Sequence, residues 1–74
     1  MNHDELKTIE AAKRRLDTDP HLANYMLRDL GIIKEAGLSD LAWAMHKDGA
    51  LHKNDVLFLI ELLEKHIEEQ KVVN

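Results

Sequence analysis

The sequence predicts an all-α fold: a compact, irregular and partly orthogonal bundle of about four helices, the last of them longest. Three observations carry that expectation. Apolar residues recur at spacings of three and four along most of the chain, no stretch shows the strict alternation of a half-buried strand, and cap or breaker residues interrupt the pattern at short intervals. There are 74 residues, a single proline, three scattered glycines and no linker or repeat, so one domain is expected to span residues 1–74.

The first helix is expected from about Asp4 to Asp17, with Leu6, Ile9, Ala12 and Leu16 at helical spacing and two acids at the positive N-terminal end. Thr18-Asp19-Pro20 then supplies a capping side chain followed by a proline at the first helical position, where its missing N–H costs nothing. The second helix presents Leu22, Ala23, Met26, Leu27 and Leu30, and Gly31 fits a left-handed stop after it. Ile32 to Gly37 reads either as a short turn of helix or as the start of a longer one, with a break at Gly37 preferred because glycine disfavours a helix interior. Ser39 is the expected N-cap of the next helix, which carries Leu38, Leu41, Ala42 and Met45 on one side and stops at Asp48-Gly49. The last helix, about Asn54 to Gln70, aims Val56, Leu59, Ile60, Leu63 and Ile67 inward, with Glu64, Glu68 and Glu69 outside.

Composition narrows the function classes. The acidic N-terminus lacks the basic-then-apolar order of a secretory signal, and the longest apolar run, Val56 to Ile60, is far short of the ~20 residues a membrane helix needs. A cytoplasmic location without membrane contact is therefore expected. Fourteen acidic residues against ten basic ones give a formal charge of −4, the wrong sign for affinity built on neutralising phosphates. A chain this short buries a thin core, and without cysteine it has neither disulfide nor thiolate metal site to reinforce it, so self-association as a homodimer is expected.

Catalytic signatures are absent, and no cofactor is expected. The one serine, Ser39, is better explained as a cap than as a nucleophile, there is no Gly-rich phosphate loop, and no histidine lies three or four residues from another as in helical metal pairs. Glu61, Glu64 and Glu68 line one helical flank, but the neighbouring Lys65 and Lys71 make it a solvated face. His46, His52 and Asp55 flank the Asp48-Gly49 turn, where helix-end positions account for the imidazoles better than a metal does. A calcium loop centred on Gly49 would put its first ligand on Ala44 and its third on His46, which leaves too few oxygens. A helix-turn-helix register built on Gly31 or Gly49 buries Gly37 and Asp40, or Asp55, and fits poorly.

What remains is a surplus of large apolar side chains. Trp43 lies almost opposite Leu41, Leu57 and Phe58 fall outside the inward stripe of the last helix, and Leu62 sits at its edge. Such residues anchor interfaces when they stay exposed. The expectation is a small regulatory or adaptor protein, not an enzyme, that binds protein through Trp43, Leu57, Phe58 and Leu62. The alternative is a nucleic-acid-associated transcriptional regulator using Lys7, Lys13, Arg14 and Arg15, with Arg28 as a further candidate, although three consecutive basic residues fan around a helix and do not share a face.

Overall fold

The computed structural model describes residues 3–47 and 51–72, which form five helices: α1 (His3–Arg15), α2 (Pro20–Arg28), α3 (Gly31–Glu35), α4 (Ser39–Lys47) and α5 (Lys53–Val72). No strand occurs among the described residues. The all-α bundle is as the sequence predicts, with the Ile32 region forming a short helix of its own. The Asp48-Gly49 stop lies outside the described residues.

Three helix boundaries have a local cause. Asp19 accepts a hydrogen bond from the Leu22 amide (3.0 Å) and Pro20 opens α2, as the cap signal requires. At α5 the Asp55 carboxylate reaches back to the His52 amide (3.2 Å), which is half of a capping box. The left-handed glycine is Gly37 (φ 72°), not Gly31. Gly37 and Leu38 donate to the carbonyls of Lys34 (3.1 Å) and Ile33 (2.9 Å), the paired bonds of a Schellman stop, and Leu38 is partly buried against the core to which Ile33 belongs.

Gly31 instead begins α3, and its neighbour Ile32 donates its amide to the Glu5 carboxylate of α1 (2.8 Å). The residue before this helix, Leu30, has no capping side chain, so the cap comes from 27 positions earlier in the chain. A side chain at Gly31 would place its Cβ 3.4 Å from that carboxylate oxygen. Ser39 is the first residue of α4 and not its cap, because the Leu38 carbonyl already accepts from Ala42 (3.0 Å).

The core draws on every helix: Ile9 and Ala12, Ala23 and Leu27, Ile32 and Ile33, Ala42, and the stripe Val56, Leu59, Ile60, Leu63 and Ile67 of α5, with Leu51 before it. The α5 stripe is the predicted one throughout. That helix packs on α1, α2 and α4 within a body of 40 × 23 × 18 Å. Three predicted core residues lie outside the core. Leu6 and Leu22 are exposed and Met26 is half-buried, because α1 turns Ile9 and Ala12 inward, with Glu5 and the following Leu16 half-buried beside them, and the buried face of α2 is turned toward Asn24. Asn24 is wholly buried, and neither of its amide atoms has a hydrogen-bond partner among the described residues.

Candidate protein interface

Rotation of the α2 face toward Asn24 brings the next residue around the helix, Arg28, under α4. Its guanidinium carbon lies 4.4 Å from the centroid of the Trp43 ring and 5.0 Å from that of Tyr25, which precedes it by three residues on the same helix. His46 meets the Trp43 ring edge-on at 5.9 Å. The cation is therefore held between two aromatic rings, each within the distance at which the ring quadrupole attracts it. The rings themselves stay open to solvent, Tyr25 at 58% and Trp43 at 48%. Arg28 Nε is buried without an acceptor, and the guanidinium has no carboxylate partner among the described residues.

Trp43 is thus as open as the apolar surplus implied, but its neighbours come from α2. From sequence Tyr25 goes unremarked and Arg28 is only a further member of a basic patch, whereas the structure sets it between rings. Their i,i+3 spacing on a short helix was the available signal, since it places a ring beside a guanidinium.

The three anchors predicted on α5 divide between two settings. Phe58 is 54% exposed and Leu57 is exposed beside it. At about 100° per residue Glu61 falls between them around the helix axis, one turn further on. Glu61 is exposed and makes no ion pair among the described residues. Leu62 is half-buried and lines a shallow groove with Ala36, Leu38, Lys65, His66 and Glu69.

The basic residues of α1 are dispersed. Lys13 forms an ion pair with Glu64 of α5 (2.9 Å), and Glu64 raises its pKa through the hydrogen bond first and charge attraction second. Lys7 and Arg14 border a shallow depression together with Leu6 and the acid Glu10, while Arg15 ends the helix in solvent. Far from forming a phosphate-tracking row, these cations are interleaved with carboxylates.

Several other titratable groups serve the scaffold. Lys53 pairs with Asp17 at the surface (3.0 Å), His66 hydrogen-bonds Gln70 (3.0 Å), and Asp55 caps α5. Among the described residues no three His, Asp or Glu side chains converge as metal ligands would, and no helix is long and apolar enough to cross a membrane. Compared with known proteins, the chain matches no family model, no curated sequence and no solved structure.

Proposed function

We propose that this chain is a small regulatory or adaptor protein without catalytic activity, acting in the cytoplasm by protein–protein contact and centred on the Tyr25–Arg28–Trp43 stack. The observation that carries the reading is the stack itself. Tyrosine, tryptophan and arginine are the residue types that dominate binding energy at interfaces, and here all three meet at one half-exposed place with the guanidinium already oriented. Pre-oriented rings and cation lose little freedom when a partner covers them. Leu57 and Phe58 add a second apolar surface on α5.

A nucleic-acid role for α1 draws less support, because Lys13 is engaged by Glu64 and Glu10 stands beside Lys7 and Arg14.

Photo-crosslinking in the native cells tests the proposal. With p-benzoylphenylalanine at Tyr25, a discrete protein adduct is expected on irradiation, and none with the same group at Lys34, an exposed residue outside the stack. Equal labelling at both positions, or no adduct at Tyr25, would sink the reading.

A further inference from the structure

We infer that the stack on α2 and α4 is the docking site for α5 of a second copy of this chain, with Arg28 of each copy receiving Glu61 of the other. The inference rests on the protein–protein reading above and adds a named occupant. Its basis is the complementarity of two surfaces, one on α2 and α4 and the other on α5. One is an aromatic pair, Tyr25 and Trp43, around a cation with no carboxylate partner among the described residues. The other is an apolar pair, Leu57 and Phe58, around a carboxylate with no cationic partner among them.

Each surface has the shape of an anchor and the charge that the other lacks. A guanidinium lying against aromatic faces offers its free edge for a bidentate carboxylate contact, the geometry in which arginine binds most strongly. Covering that contact with Leu57 and Phe58 on one side and the two rings on the other excludes water from it, as hot-spot contacts require. A two-fold axis makes the contact twice, Arg28 to Glu61 and Glu61 to Arg28, so that a single complementary pair closes a dimer and leaves no unsatisfied copy of either surface. The gain answers the weakness of a 74-residue core, which self-association would extend.

Salt titration is a poor test, because each copy carries a formal charge of −4 and screening weakens both the general repulsion and the local attraction. Charge exchange is a better one. Sedimentation equilibrium near neutral pH is run on the full chain, on Arg28→Glu, on Glu61→Arg, and on an equimolar mixture of the two variants, with circular dichroism confirming that each is helical. The wild-type chain is expected to dimerise. Each single variant, which sets like charges against each other in both symmetry-related contacts, should raise the dissociation constant about a hundredfold or more, about tenfold for each close interfacial charge pair. The mixture should re-form the dimer, since one of its two contacts is then the native Arg28–Glu61 pair and the other is the same pair with its charges exchanged.

A monomeric wild-type chain at all soluble concentrations overturns the inference, and so does a dimer indifferent to both substitutions. So does a mixture that stays dissociated, because Arg28 and Glu61 would then not meet. Should Arg28→Glu fail to fold, Phe58→Ser changes an exposed side chain only, and a dimer that survives it overturns the inference equally. None of these failures touches the adaptor reading, which the Tyr25 crosslink decides separately: an adduct of twice the chain mass belongs to the dimer, and any other adduct to a different partner.

Discussion

Asn24→Leu is expected to stabilise the domain. The native side chain is wholly buried, and both atoms of its amide lack a protein partner among the described residues, so folding strips water from a donor and an acceptor without replacing it. Leaving such a group unsatisfied costs about 1–3 kcal/mol. Leucine removes that cost but replaces a planar amide with a tetrahedral Cγ and two methyls, and misfit in a packed interior can return about 1 kcal/mol or more of it. A net gain of about 1 kcal/mol follows, equivalent to a rise in Tm of about 4–8 °C for a domain of this size. Urea unfolding followed by helical circular dichroism measures it: the midpoint should move up with the slope unchanged. Asn24→Asp provides the opposite sign. A carboxyl at this site has its pKa raised by burial, so its penalty relative to wild type should be small in acid and grow as pH rises through the range between the unfolded and folded values. The reasoning is refuted if Asn24→Leu destabilises by more than about 1 kcal/mol while Asn24→Asp is tolerated at neutral pH, because the amide would then be a satisfied part of a polar network.

Three other outcomes can be checked in the same unfolding assay. Glu5→Ala removes the only side-chain cap of α3 among the described residues and should cost about 1 kcal/mol, with Glu5→Gln retaining part of it. Gly37→Ala forces a Cβ into the left-handed region and should cost about 1–2 kcal/mol, with Gly37→Asn milder; Gly31→Ala should cost less, since its Cβ would stand at 3.4 Å from the Glu5 carboxylate with no positive φ to strain. Because Glu64 raises the Lys13 pKa, the support this pair gives to the α1–α5 contact is fully present below the ordinary lysine value and is lost as pH rises through the raised one; Lys13→Met should flatten that alkaline limb, measured as stability against pH.

The parts of the fold legible in the sequence are those fixed by near neighbours. The α5 stripe could be read because one face of one long helix repeats every three or four residues, and Asp19-Pro20 because a cap acts across three. Where the deciding partner lies far along the chain, the local pattern points the wrong way. Gly31 follows an apolar helix as a stop would, yet Glu5 turns it into a start. Leu6 fits the spacing of α1 as well as Glu5 does, and the amide of Ile32 decides which of them faces inward. In α2, choosing between Leu22 and Asn24 as the buried edge depends on the ring of Trp43 arriving over Arg28. The candidate site shares this division: exposure of Trp43, Leu57 and Phe58 follows from each helix's own face, whereas the company Trp43 keeps does not.

Energetics bear on why the stack is arranged as it is. Two cation–π contacts at a half-exposed site contribute about 0.5–1 kcal/mol each. Against them stands a buried Arg28 Nε without an acceptor, a cost of about 1–3 kcal/mol that tends higher for a charged group. For the isolated chain the two sides roughly cancel, so stability alone gives Arg28 little advantage over a methionine that would fill the same space between the rings. The balance changes once a carboxylate reaches the open edge of the guanidinium. That contact adds charge-assisted hydrogen bonds to a group whose desolvation and ordering have already been met on folding, and the aromatic rings then shield it from water. Arg28→Met should therefore leave the Tm of the monomeric fold within a few degrees of wild type while abolishing whatever association the stack supports, a separation of stability from binding that an arginine serving only the scaffold would not produce.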